Sequence, residues 1–262
     1  RGILSFDAIR RSGLHRGERF DLISMLAWGD KVVMYDDFLG DAVRTDLYLA
    51  TAIGAGSPTM AFPATQLANG VIRTTTGTTD NSGAILAGDL SWLGDLNVVM
   101  QTRVKSNAVT SLKIEIGLSN LAGRDTEIVN AYNTPTFQTN QTDVLCAEVD
   151  TDGTTGDRWK LQTDGTTTDM NATGTISGEA IGAAATALTT AVVDVYDVIT
   201  LTGIGNRARM YRNGKSRAHN GGALASQFEG GTLLYPSLGA YTKTTTGRLV
   251  DWDYLIVAQD RV

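Results

Sequence analysis

Polar and apolar side chains alternate along most of the chain, with the period of two that a β-strand requires. The clearest example is residues 96–104, where Val98 and Met100 fall on one face and Gln101 and Arg103 fall on the other. Successive side chains of a strand point to opposite faces of its sheet. The pattern therefore predicts a strand with one face directed to a core.

The same period recurs in further segments. In residues 111–118 it places Leu112, Ile114 and Ile116 inward, and near the C-terminus it places Trp252 among inward apolar residues. There we expect Val250, Trp252, Tyr254 and Ile256 on one face. Other strands are predicted at residues 32–38, 46–53, 70–75, 83–88, 143–150, 158–163, 192–201, 206–212, 233–241 and 248–258.

Tight turns separate these segments. Asn213-Gly214 and Asp152-Gly153 fit two-residue hairpins, whose central residues need positive φ. Residues 164–190 are rich in Thr, Ala and Gly, which favours a long surface excursion. About a dozen antiparallel strands in one chain imply two stacked sheets. We predict an all-β, two-sheet antiparallel sandwich over residues 31–262.

Residues 1–30 differ from the rest of the chain. Their apolar residues recur at three and four positions, which predicts short helices between residues 5 and 28. One interpretation is a terminal helix packed on its own domain. The other is a partly helical arm that binds a partner, through Arg10, Arg11, Arg16, Arg19, Phe20, Ile23, Leu26 and Trp28.

Charge is unevenly distributed. Residues 1–35 hold six basic and four acidic side chains, a net charge of +2, whereas the remainder of the chain carries −8. An acidic body repels phosphate, so nucleic acid is not an expected partner. There is no apolar run long enough for a membrane span, and no signal-peptide pattern is recognisable. Cys146 is the single cysteine, which rules out a disulfide within the chain.

Four short motifs of the chain match a known family. Three lie in the C-terminal half, and the fourth lies near the start of the predicted sandwich. They are DVLCAEVDTDGTTGDRWKLQT at 143–163, a Tyr-x-Asn-Gly hairpin at Tyr211–Gly214, a final strand at Val250–Val257, and Asp36-Asp37-Phe38. Over residues 35–262 the chain resembles the concanavalin A-like lectin/glucanase jelly-roll domains, which occur in structural proteins of tailed bacteriophages. The resemblance implies a lectin-like jelly roll and a virion role.

Enzymes of that family carry E-x-D-x-E on one strand, and the nearest match here is Glu148-Val149-Asp150-Thr151-Asp152. The third acid is an aspartate at a predicted turn, so we expect a solvated strand end and no catalytic site. Asp150, Asp152 and Asp157 do not complete a calcium-binding EF-hand loop. His15 and His219 form no recognised pattern with Cys146, which we expect to be an inert, partly buried thiol. We therefore predict no metal and no cofactor.

Aromatic side chains bind sugars by stacking when they are exposed. Trp92 follows a predicted turn and is the better surface candidate, and Trp159 is a second possible glycan contact. Trp252 is assigned to the core.

These observations predict a non-enzymatic bacteriophage capsid decoration protein. It would lie on the capsid surface, be made in the host cytoplasm, and bind the major capsid protein and other copies of itself as a homo-oligomer. Two alternatives stay open. One is a carbohydrate-binding module of a phage fibre or surface protein, and the other is a glycoside hydrolase that uses Glu148 and Asp152.

Overall fold

Two antiparallel sheets account for the described architecture. The computed structural model describes residues 31–64, 70–108, 110–120, 127–128, 143–151, 159–164, 195–204, 207–219 and 231–261. No helix occurs within these ranges. The arm of residues 1–30 lies outside the described residues, as do the Asp152-Gly153 turn and nearly all of residues 164–190.

The first sheet has eight strands in the described part of the chain. Across the sheet they are β13 (Lys215–His219), β12 (Arg207–Arg212), β11 (Asp197–Ile204), β7 (Val98–Ser106), β15 (Leu249–Asp260), β4 (Ile72–Thr75) and β3 (Thr59–Ala61), and β1 (Lys31–Asp36) pairs with the second half of β15.

The second sheet has seven described strands. In order they are β10 (Lys160–Asp164), β9 (Val144–Asp150), β8 (Leu112–Ser119), β14 (Leu233–Thr242), β5 (Gly83–Gly88) and β2 (Tyr48–Ile53), and β6 (Trp92–Leu93) pairs with β14. The predicted all-β, two-sheet fold is confirmed. The short strands β3 and β6 were not predicted, because two or three residues show no period.

The core lies between the inner faces of the two sheets. Ile114, Ile116 and Leu112 from β8 belong to the same buried cluster as Trp252 from β15, as the alternation predicted. The indole of Trp252 has no exposed surface, and its Nε1 donates a hydrogen bond to Thr74 Oγ1 at 2.9 Å. Because this hydrogen bond satisfies Nε1, the only polar atom of the indole, Trp252 can be buried completely.

A register shift between Trp252 and Leu255 corrects the predicted faces of the last strand. Leu255 and Val257 continue the core face begun by Trp252, whereas the Tyr254 hydroxyl donates a hydrogen bond to Gln101 on the outer face. A β-bulge adds a residue to one strand and reverses the faces beyond it. Period-two counting cannot detect such an insertion.

The hairpin between β12 and β13 matches its sequence signature. Asn213 and Gly214 both have positive φ, at 51° and 75°. Asn213 Oδ1 also accepts a hydrogen bond from the Val198 backbone N–H at 2.8 Å. The hairpin is thereby tied to the start of β11.

Replacing Ile114 by Ala should lower the free energy of unfolding by about 2–5 kcal/mol, the range for truncating a buried Ile. Ile114 is 2% exposed in the inter-sheet cluster, so the change leaves a cavity. Thr45→Ala, on the exposed stretch before β2, is the control and should stay within about 0.5 kcal/mol. Urea denaturation measures both, and a loss below about 0.5 kcal/mol for Ile114→Ala would contradict the core assignment.

Candidate functional site

Charged residues occupy the outer face of the seven-stranded sheet. Lys113 and Glu115 alternate with core residues on β8, and Glu115 lies directly opposite Glu148 of β9. All three are 0–1% exposed. The solvated strand end predicted at Glu148 and Asp150 is therefore wrong, because both residues are completely buried. Residues 127–128 contribute to the layer that covers this face.

Lys113 is the centre of an ion-pair cluster on this face. Its Nζ lies 3.0 Å from Glu115 Oε1 and 3.9 Å from Glu148 Oε1, and it donates a hydrogen bond to Glu127. Glu115 also accepts a hydrogen bond from the Ile128 backbone N–H at 3.0 Å. We call Lys113, Glu115, Glu127 and Glu148 the Lys113 cluster.

A second lysine extends the Lys113 cluster toward the sheet end. Asp150, which pairs in register with Lys113, lies 3.6 Å from Lys243 Nζ. Lys243 also donates a hydrogen bond to Asn81 Oδ1 at 2.6 Å. Glu148 and Asp150, the first two acids of the E-x-D-x-D match, are thus each beside an ammonium group.

Burial and charge compete at these groups. Burial acts to lower the pKa of Lys113, but Glu115, Glu148 and Glu127 outweigh it and raise that pKa above its ordinary value. Burial raises the pKa of the Cys146 thiol well above its ordinary value, and Glu115 and Glu148 raise it further. Lys113 therefore stays an ammonium at neutral pH and Cys146 stays a thiol. Cys146 is completely buried, not partly buried as predicted.

The Lys113 cluster includes one of the two acids named in the glycoside hydrolase alternative. That acid is Glu148, which is completely buried. Asp152, the other acid of the hydrolase alternative, lies outside the described residues.

A cleft at one end of the sandwich lies apart from the Lys113 cluster. It encloses about 180 Å³ where the chain crosses from β1 to β2. Its polar lining residues are Asp36, Asp37 and Arg44, and four rings, Tyr35, Phe38, Tyr48 and Phe62, supply much of the remaining wall.

The loop from Asp36 to Gly40 shapes the cleft. Asp36 Oδ1 accepts a hydrogen bond from the Phe38 backbone N–H at 2.8 Å, and Phe38 adopts a positive φ of 52°. Gly70 (φ 66°) packs so closely that a Cβ there would lie 2.2 Å from the Asp37 carbonyl oxygen. The side-chain turn and the glycine together fix the loop conformation.

The rings of the cleft differ in exposure. Phe38 and Tyr48 are buried and tilted against each other, with ring centroids 6.1 Å apart. Tyr35 is 49% exposed and lies 6.5 Å from the Tyr254 ring. Tyr35 thus presents an accessible ring face beside a rigid aromatic floor.

The cleft also carries negative charge. Burial raises the pKa of the Tyr48 phenol, and the Asp36 carboxylate raises it further. Burial likewise raises the pKa of Tyr35, with additional contributions from Asp37, Asp253 and Asp36 in that order. Arg44 is engaged by Asp46, with Nη2 3.0 Å from Oδ2.

The predicted glycan contacts lie elsewhere. Trp92 is 3% exposed and Trp159 is 6% exposed, so neither indole offers an open ring face. The surface position expected of Trp92 is wrong, because β6 pairs with β14 and turns its indole into the core. Glycan contact through these two residues stays a prediction.

The other predicted residues are not brought together. The arm residues Arg10 to Trp28 and His15 lie outside the described residues. Cys146 is on β9 and His219 is on β13, in different sheets. Sequence reasoning did not identify the cleft residues as a site, although it used Asp36-Asp37-Phe38 as a fold motif. The combination of acidic and aromatic residues in one short loop could have indicated the cleft.

Comparisons with known proteins bear on the fold. No protein-family model and no curated protein matches the chain. Among solved structures, the Emp47p carbohydrate recognition domain is 13% identical, with a TM-score of 0.56 over 88% of this chain and 95% of that one. The fold is that of the concanavalin A-like lectins and glucanases.

Two further structures support this assignment. Rv0315, an immunostimulatory antigen and pseudo β-1,3-glucanase of Mycobacterium tuberculosis, is 12% identical, with a TM-score of 0.53 over 89% of this chain and all of that one. The potassium-bound Emp46p carbohydrate recognition domain is 11% identical, with a TM-score of 0.53 over 83% and 90%. At these identities the similarity concerns the fold.

Two further features are absent from the described residues. They contain no group of three or more His, Cys, Asp or Glu side chains arranged to hold a metal ion. They also contain no helix with the length and hydropathy of a membrane span.

Replacing Lys113 by Met should lower the free energy of unfolding by about 3–5 kcal/mol, because removing one partner leaves buried carboxylates uncompensated. Arg44→Met, which breaks the exposed pair with Asp46, is the control and should change stability little. Urea denaturation at pH 7 compares the two variants. Equal stabilities would contradict the role given to the Lys113 cluster.

Proposed function

We propose that this chain is a non-enzymatic carbohydrate-binding module and that the cleft is its binding site. The observation that carries the proposal is the wall of the cleft. It combines an exposed tyrosine ring and a buried aromatic floor with two carboxylates. Rings supply flat apolar surface to the faces of a sugar, and carboxylates accept hydrogen bonds from its hydroxyl groups.

The fold is compatible with this function and with its main rival. Emp47p and Emp46p are named as carbohydrate recognition domains, whereas Rv0315 is named as a pseudo β-1,3-glucanase. Fold similarity alone does not choose between binding and hydrolysis. Glu148 and Asp150 are completely buried beside Lys113 and Lys243, and this burial favours binding at the open cleft over hydrolysis at these two acids.

The capsid-decoration role predicted from the sequence stays a prediction. Its anchor was the arm of residues 1–30, which lies outside the described residues. Binding to the major capsid protein, self-association and a virion location rest on that arm and on the sequence resemblance. A glycan-binding module is consistent with a surface protein of a particle or of a cell.

Replacing Tyr35 by Ala should weaken glycan binding by about tenfold or more, the loss expected when an aromatic anchor of a binding site is truncated. Tyr211→Ala is the matched control. Tyr211 lies on β12, four strands away from β4 at the cleft, and is partly exposed. A glycan array identifies the ligand and calorimetry compares the variants. The proposal fails if the wild type binds no glycan, or if both variants bind equally well.

Replacing Glu148 by Gln tests the hydrolase rival. We expect no polysaccharide cleavage by the wild type and therefore no difference on substitution, measured as reducing ends released from β-glucans. Cleavage by the wild type that disappears in Glu148→Gln would establish the hydrolase instead.

A further inference from the structure

We infer that the ligand of the cleft is an amino sugar, a pyranose that carries a free primary ammonium group. The inference rests on the proposed function and deepens it, because it names the class of glycan. It follows from the charge of the cleft, its rings and its size.

The charge of the cleft selects a cation. Asp36 and Asp37 both line it, and the one basic residue in the lining, Arg44, has its guanidinium 3.0 Å from the Asp46 carboxylate. Asp46 neutralises that arginine from outside the lining. The two carboxylates of Asp36 and Asp37 therefore give the cleft a net negative charge.

The rings reinforce this preference. An ammonium group over an aromatic face is attracted by the negative face of the ring system, and the attraction increases when the pair is shielded from water. The same sandwich uses this contact internally, because Arg103 and Lys105 lie 4.5 and 5.1 Å from the centroid of the Tyr196 ring. Tyr35 offers an equivalent face to an external cation.

The size of the cleft limits the part of the ligand that enters it to one ring. Its 180 Å³ is below the roughly 300–1,000 Å³ typical of sites for drug-sized molecules. Two carboxylates on one wall provide more acceptor positions than one ammonium group occupies. A sugar ring supplies hydroxyl donors for the remaining acceptors, whereas the aliphatic stem of a lysine supplies none.

The test compares two oligosaccharides that differ in one substituent of each ring, an ammonium group in the first and a neutral acetamido group in the second. Tetramers of glucosamine and of N-acetylglucosamine are titrated into the full chain by calorimetry at about pH 5.5, above the ordinary Asp pKa of about 3.9. We expect the glucosamine tetramer to bind about tenfold more tightly or better. Added salt should reduce this difference, because the field of the carboxylates is screened.

Asp37→Asn is the decisive variant. The Asn side-chain oxygen still accepts the hydrogen bond that Asp37 Oδ1 receives from the Leu39 backbone N–H, so the loop is retained and only the charge is lost. The preference for the glucosamine tetramer should disappear. Asp41→Asn is the matched control, since Asp41 is exposed on the same loop but does not line the cleft. The Asp41→Asn variant should keep the preference for the glucosamine tetramer.

Three outcomes would overturn the inference. Equal binding of both tetramers by the wild type would leave the proposed function standing and remove the charge selection. If Asp37→Asn and Asp41→Asn reduced the preference for the glucosamine tetramer equally, the preference would come from the overall negative charge of the chain and not from the cleft. Binding of Nα-acetyl-lysine amide as tight as that of the glucosamine tetramer would show that an amine without a sugar suffices. The glycan array decides separately whether the chain binds any glycan.

Discussion

Burial of both faces of the seven-stranded sheet is the constraint on which the rest of this structure depends. Its inner face packs against the eight-stranded sheet through Ile114, Ile116 and their neighbours. Its outer face would ordinarily meet water, but Lys113, Glu115 and Glu148 are almost completely buried there. Charges in such a place are tolerated only when they are paired. The Lys113 cluster is therefore a requirement of the covered sheet.

That requirement separates structural charge from the chemistry available to a ligand. The acids that most resemble a catalytic motif, Glu148 and Asp150, have lysine partners within 4 Å. Charged residues on the outer face of the eight-stranded sheet are also paired with opposite charges. Arg73 donates two hydrogen bonds to Asp251, and Arg103 forms an ion pair with Asp253. On both sheets, the described charges of the outer faces contribute to holding strands together.

The cleft follows a different principle. It lies where the chain leaves β1 and crosses to β2, and its walls come from the loop after β1, the start of β2, and segments beside β3 and β4. Loops at the ends of a rigid sandwich can vary without disturbing the core. The close approach of Gly70 to the Asp37 carbonyl group shows how one backbone contact holds such a loop in place. Four rings and two carboxylates then line a small cleft.

The sequence by itself determined the fold class, most strand positions and the β12–β13 hairpin. Period-two alternation and an Asn-Gly turn are local properties of consecutive residues, and they specified β7, β8 and the turn at Asn213 closely. They also assigned Leu112, Ile114, Ile116 and Trp252 to the core. The bulge after Trp252 was beyond this reasoning, because an inserted residue leaves the local composition unchanged.

Only the tertiary structure decided which polar residues are buried and which meet. Glu115 and Glu148 face each other because β8 and β9 pair in one register, and Lys113 joins them to Glu127. Trp92 looked like a surface residue beside its turn, yet pairing with β14 placed it in the core. The cleft unites residues 35–48 with Phe62 and Ile72. Alternation tells which side of a strand a residue occupies, but the coverage of that side depends on distant segments of the chain.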